Sequence, residues 1–184
     1  MPVWQHVLAL LALVSVFGTS IVLLGTVIGS TSPWLALLLM FYFQAVAKFA
    51  EPLVVLRIPR SLYRLRHWEL EGKFLRRLGI IGFGRLLRET PLRYLNARVY
   101  LDRPRRDVHR IRAQAASAEA THFWAAVLFM PCIAVAAVGG KWNIVAWFSL
   151  AQVLGNVYPV LHLRYTRARL DRTIRRMDTT RAGG

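Results

Sequence analysis

Residues 122–163 read HFWAAVLFMPCIAVAAVGGKWNIVAWFSLAQVLGNVYPVLHL. This stretch holds one charge, Lys141, placed directly after Gly139-Gly140. A helix crossing a bilayer needs roughly 20 apolar residues, since each adds about 1.5 Å against a hydrocarbon core of about 30 Å. His122–Gly139 and Trp142–Leu163 each come near that length, and Gly139-Gly140-Lys141 is a tight turn between them. The pattern predicts an antiparallel pair of membrane-spanning helices.

Working outward, the same pattern recurs upstream. No Lys, Arg, Asp or Glu occurs from Met1 to Ala47. Val7–Ile28 predicts one span. Pro33 to about Leu56 predicts another, with Pro33 suited to a helix start. The expectation is an all-α integral membrane protein with about four transmembrane helices, near 7–28, 33–56, 120–139 and 142–163. A basic amphipathic cytoplasmic segment, 57–116, lies between the second and third, and a basic tail, 164–184, follows the fourth. The 184 residues are read as one membrane domain.

The charge is segregated. Of 25 Lys and Arg residues, 16 lie between Arg57 and Arg112 and 7 between Arg164 and Arg181, against 9 Asp and Glu in the whole chain. Mean hydropathy is nonetheless +0.38. That combination excludes a disordered chain, a secreted disulfide scaffold and an ordinary cytosolic enzyme. The single Cys132 sits in an apolar run and has no partner cysteine. Basic loops stay on the cytoplasmic side. Four spans put the N-terminus, the basic segment and the C-terminal tail together there. Met1–His6 carries no Lys or Arg, and a second apolar segment follows closely, so the first span reads as retained rather than as a signal peptide. In the second span Lys48 and Glu51, three apart, read either as an ion pair at the membrane border or as an inward-facing pair in a cavity.

Between Arg57 and Arg112, residues such as Leu62, Trp68, Phe74, Leu75, Ile80 and Phe83 interleave with Arg and Lys. Gly79, Gly82 and Gly84 break any long helix. Short amphipathic elements lying on the membrane face fit this pattern. Pro91 and Pro104 punctuate its later half, and from Asp107 the pattern turns helical again and runs into the third span. The positive charge fits the orientation rule plus anionic lipid. It also fits a dock for a phosphate-bearing substrate or acyl carrier. No nucleic-acid recognition motif accompanies it.

Two clusters could carry chemistry. Glu119 and His122 are three apart on one helical face. A carboxylate beside an imidazole can orient it and raise its basicity, as a general base for a hydroxyl requires. A structural Glu–His contact fits the spacing equally well. The second cluster closes the fourth span, from Asn156 through Tyr158, Pro159, His162, Arg164, Tyr165 and Arg167 to Arg169. Asn156 is an amide in an apolar helix and needs a partner. Pro159 removes a backbone donor and frees carbonyls nearby. In the predicted hairpin, Glu119 and His122 face Arg164 and Tyr165. A snorkelling basic tail is the plainer reading of those arginines. Glu69, an acid in a basic field, reads as a salt-bridge partner. No Gly-x-Ser-x-Gly elbow, Walker loop or Cys/His zinc spacing is present, so neither a metal nor a resident cofactor is expected.

At these residues the chain resembles the glycosyl-diaponeurosporenoate acyltransferases, small bacterial membrane proteins of staphyloxanthin-type carotenoid synthesis. Three motifs carry the likeness. They are Glu69-x-x-Gly72-x-Phe74, then Glu119-x-x-His122-Phe123 with Pro131 beyond, then Asn156 through Arg164-Tyr165-x-Arg167-x-Arg169-Leu170. Leu163 stands in place of the family's Gln and Thr166 in place of its Asn. Gln114 and Ser117 stand where an acidic and a basic residue are expected. These departures bear on sugar and acyl specificity.

The resemblance implies transfer of a fatty acyl group from a thioester, acyl-CoA or an acyl carrier protein, to a sugar hydroxyl of a membrane glycolipid or glycosyl carotenoid. It implies a bacterial inner-membrane location. In that reading the catalytic candidates are His122 as general base, Glu119 as its orienting carboxylate, and Arg164 on the oxyanion or donor phosphate. Glu69, Asn156, Tyr165, Arg167 and Arg169 are the substrate-binding candidates. Two other classes fit the composition: a non-enzymatic membrane scaffold with a basic face, and a membrane reductase or methyltransferase with a basic nucleotide-binding face.

Overall fold

The computed structural model describes residues 3–29, 31–51, 57–90 and 108–182. Every regular element among them is helical. Among the described residues, four helices are long and apolar enough to cross a membrane, covering Val7–Ile28, Pro33–Ala50, Val108–Val138 and Trp142–Thr180. The described residues divide into two compact units. One takes in Met1–Arg57 and Thr121–Val157, the other Ile58–Ala120 and Tyr158–Gly184.

In the first unit, α1 (Val3–Ile28) packs on α2 (Pro33–Ala50). Phe17 and Tyr42 meet edge to face at 5.0 Å between centroids, and the Tyr42 hydroxyl donates to the Phe17 carbonyl. Ser32 caps α2 by accepting from the Trp34 N–H at 3.3 Å, and Pro33 takes the first turn, where a missing N–H costs nothing. The buried face of α2, Leu35, Ala36, Leu39, Met40, Phe43, Val46 and Ala47, repeats at helical spacing. It packs against Ala125, Phe129 and Ala136 of α7 (Val108–Val138) and against Ile144 and Phe148 of α8 (Trp142–Gln152). Phe129 sits 5.7 Å from Phe43 and 5.4 Å from Phe148.

The turn between α7 and α8 is the one expected. Gly140 has φ 67°, a left-handed conformation that favours glycine, and the Gly140 N–H and Lys141 N–H return to Ala137 and Ala136. Outward from it, Phe129 meets Phe148, Ala126 meets Gln152, and His122 meets Gly155, the register of an antiparallel pair. Lys48 and Glu51 pair with each other, with the lysine end well exposed. Helix α2 ends at Ala50, and residues 52–56 of the expected second span lie outside the described residues.

Among the described residues the second unit contains four short helices, α3 (Arg60–Tyr63), α4 (His67–Glu71), α5 (Lys73–Arg77) and α6 (Ile80–Glu89). Helices α4 and α6 pack on α9 (Tyr158–Ala182). Gly72, at φ 71°, ends α4 and starts α5, and a Cβ there would stand 3.1 Å from the Tyr165 ring. Gly84 lies against the His162 ring so closely that a Cβ would overlap it. Ala115 of α7 packs with Leu163, and Arg112 pairs with Asp171. The expected proline-punctuated stretch around Pro91 and Pro104 lies outside the described residues.

Two features extend the sequence expectation. Helix α7 has 31 residues, about 46 Å at about 1.5 Å each, so it outruns a hydrocarbon core of about 30 Å by several turns. The basic tail is helical through Ala182. Its hydroxyls feed this helix rather than compete with it. Thr166 and Thr173 donate to carbonyls four residues back.

Candidate functional site

Two polar centres are buried among these apolar helices, one in each unit. In the second unit the centre is built on Arg164. Its Nε and Nη2 donate side-on to the two oxygens of Glu69, the Nη2 bond measuring 2.9 Å. Its Nη1 donates to Glu119 Oε1 at 3.0 Å and to the Leu62 carbonyl at 2.5 Å, while Nη2 also reaches the Arg64 carbonyl at 2.9 Å. A guanidinium has five N–H donors, and all five are engaged. Arg167 Nη1 donates to Glu119 Oε2, and Nη2 donates to the Tyr63 carbonyl at 3.2 Å. The Arg167 guanidinium also lies over the Tyr63 ring, 3.9 Å from its centroid.

Two carboxylates thus meet two guanidiniums, with zero net charge, in a place water hardly reaches. Glu119 is 0% exposed, Glu69 and Arg167 2%, and Arg164 9%. Burial by itself would raise the pKa of Glu69. The hydrogen bonds from Arg164 and from the Arg66 N–H (2.6 Å), with the Arg164 charge, outweigh it and hold Glu69 below its ordinary value. The Arg66 bond also caps the first turn of α4, so one carboxylate both starts that helix and ties it to α9.

In the first unit the centre is built on the Gly155 carbonyl. Residues Val153–Val157 form a π-helical turn between α8 and α9. Pro159 has no N–H to offer the carbonyl four residues back, which is Gly155's. That oxygen instead lies 3.1 Å from His122 Nδ1 and accepts from Gln44 Nε2 at 2.9 Å. Gln44 Nε2 also donates to Asn156 Oδ1 at 3.2 Å. Asn156 Nδ2 donates to Gln152 Oε1 at 2.8 Å, and Gln152 Nε2 donates to the Ala126 carbonyl at 2.9 Å. A Cβ at Gly155 would overlap Met40 Sδ, so any side chain there requires Met40 to move.

A backbone carbonyl only accepts. His122 Nδ1 must therefore carry its proton, and the lone pair of the neutral ring is on Nε2. That tautomer suits a ring about to take a proton from a hydroxyl.

These geometries place the eight sequence candidates. Glu69, Glu119, Arg164 and Arg167 come together across separations of up to 95 residues. His122 and Asn156 share the other centre. Tyr165 is half-buried beside Gly72, and Arg169 is exposed on α9. Two expected pairings differ. The group on His122 Nδ1 is the Gly155 carbonyl, because both oxygens of Glu119 are taken by arginines. Arg164 has no donor left for an oxyanion or a phosphate, because its own chain uses all five. Sequence reasoning missed Gln44 and Gln152. Both are amides inside apolar runs, the same signal that singled out Asn156.

Residues 59–176 match the sequence profile of the glycosyl-4,4'-diaponeurosporenoate acyltransferase family. The chain belongs to that family. It is an acyltransferase, of a family that works in carotenoid biosynthesis, and its four apolar helices accord with a membrane protein. The matched residues contain all eight candidates of this acyltransferase, while Gln44 lies outside them. No curated protein and no solved structure gives a match. Among the described residues, no three His, Cys, Asp or Glu side chains converge to hold a metal.

Proposed function

We propose that this acyltransferase moves a fatty acyl group from a thioester, acyl-CoA or acyl carrier protein, to a sugar hydroxyl of a membrane glycolipid or glycosyl carotenoid. His122 Nε2 is the general base. It takes the hydroxyl proton as the oxygen attacks the thioester carbonyl. A C–O bond forms, the C–S bond breaks, and the imidazolium returns its proton to the leaving thiolate. The chemistry needs no resident cofactor or metal. The observation that carries this reading is the His122 tautomer, fixed by an acceptor that can never donate.

Glu119 and Arg164 serve by position, holding the short basic helices on α7 and α9. The exposed Arg169 offers its guanidinium to donor phosphate, and Tyr165 and Arg167 shape the same end of α9. The basic residues face the cytoplasmic side of a bacterial inner membrane and its anionic lipids, with both termini on that side.

The test is lipid mass spectrometry of cells carrying the protein, its His122→Ala variant or neither. A glycolipid that gains a fatty-acyl mass with the unaltered protein, and loses most of that gain with His122→Ala, supports the reading. General-base catalysis contributes typically ~10²- to 10⁴-fold. Full acyl transfer by an expressed His122→Ala protein refutes it.

A further inference from the structure

The hydrogen bonds around His122 run in one direction, and both ends of the run are fixed. At one end the Gly155 carbonyl only accepts, so the Gln44 atom facing it is the amide nitrogen. At the other end the Ala126 carbonyl only accepts, so the Gln152 atom facing it is also nitrogen. That turns the Gln152 oxygen to Asn156, which must answer with its nitrogen. The Asn156 oxygen is then the atom left for Gln44, whose nitrogen already faces it. Two independent backbone anchors thus impose the same orientation on all three amides. The Gly155 oxygen has two lone pairs, and His122 and Gln44 occupy both.

We infer that Gln44, on α2 and outside the family match, is a positioning residue for acyl transfer. It holds the Gly155 carbonyl and the Asn156 amide in the arrangement that keeps His122 protonated on Nδ1 and basic on Nε2. The inference rests on His122 being the general base. Inside an apolar helix pair a polar group without its partner is costly, and removing Gln44 leaves the Asn156 oxygen and one lone pair of the Gly155 carbonyl without their donor. The carbonyl is then free to tilt away from His122 Nδ1 toward another donor, and the imidazole loses the contact that fixes its tautomer.

The experiment compares Gln44→Leu and His122→Ala in purified protein with a defined thioester donor and glycolipid acceptor. The expected result for Gln44→Leu is a kcat lowered roughly 10- to 100-fold, as for a displaced catalytic group, with KM for both substrates held. The acidic limb of its kcat–pH profile moves as well. On nitrogen-15-labelled protein, the His122 signals, assigned by their loss in His122→Ala, should show Nδ1 protonated in the unaltered chain and mixed tautomers in Gln44→Leu. Unchanged kcat and pH profile in Gln44→Leu, beside an inactive His122→Ala, overturns the inference and leaves the general base standing. An active His122→Ala overturns the general base itself. A fall in activity that only tracks the amount of folded protein, with an unmoved pH limb, also overturns the positioning role. If Gln44→Leu does not fold, Gln44→Glu keeps the shape and the same readouts decide. The Nδ1 signal of the unaltered chain is a separate check, and finding the proton on Nε2 there overturns the inference.

Discussion

Replacing Arg164 by lysine keeps the charge and removes the fork. The guanidinium makes five hydrogen bonds, to Glu69 twice, to Glu119, and to the carbonyls of Leu62 and Arg64. An ammonium has three donors and cannot make the side-on pair, so at least two bonds are lost. Hydrogen bonds to charged groups contribute ~1.5–3 kcal/mol each, so losing two costs ~3–6 kcal/mol. That corresponds to a population of opened segment raised about a hundred- to ten-thousand-fold. The segment 57–90 is rich in arginine, so limited trypsin digestion in detergent micelles reads that population directly. Cleavage there should accelerate by that factor and the melting temperature should drop. If Arg164→Lys is cut at the wild-type rate while its donor KM rises several-fold, the arginine serves substrate and the reasoning from saturated donors is refuted.

Glu69 is held below its ordinary value of 4.5, so its contribution to stability is complete above that value and is lost as pH falls through the lowered one. Melting temperature should hold from neutral pH to about 5 and then drop, and the drop should be smaller in Glu69→Gln. Gly155→Ala puts a methyl into Met40. Overpacking typically costs ~1–3 kcal/mol, so it should lower both melting temperature and acyl transfer, and a fully active, equally stable variant contradicts the packing described. Pro159→Ala returns a helical N–H to the Gly155 carbonyl in competition with His122, and kcat should fall with little change in donor KM. Gly72→Ala forces a left-handed φ on alanine beside Tyr165. That costs ~1–2 kcal/mol, which a thermal melt should register.

The spans were legible because charge is absent over long runs, and the hairpin because Gly139-Gly140-Lys141 interrupts the apolar stretch from His122 to Leu163. Glu119 and Arg164 were legible as neighbours for the same reason, since a hairpin brings its open ends together. The identity of each partner was not. Periodicity puts Glu119 and His122 on one face, but it says nothing of Arg167, which outcompetes the imidazole for a carboxylate by charge. The saturation of Arg164 depends on the carbonyls of Leu62 and Arg64, and backbone oxygens leave no trace in a side-chain pattern. Gln44 was visible as an amide in an apolar run, yet its partners sit more than a hundred residues away. The helical continuation to Ala182 was hidden by its charge, which reads as a solvated tail until Asp171 is seen to pair with Arg112.

The chain is made from its N-terminus, and Glu69 and Arg164 stand 95 residues apart. At ~5–20 residues per second, Glu69 waits about 5–20 s for the residue that neutralises it, and Glu119 waits about half as long. During that interval the short basic helices exist without their staple, while the first two apolar helices have already been synthesised. Assembly of the cluster is therefore a late, single event, triggered when α9 emerges. A nascent chain stalled before residue 164 should present 57–90 as an open, protease-sensitive strip, and one stalled well beyond Arg167 should not.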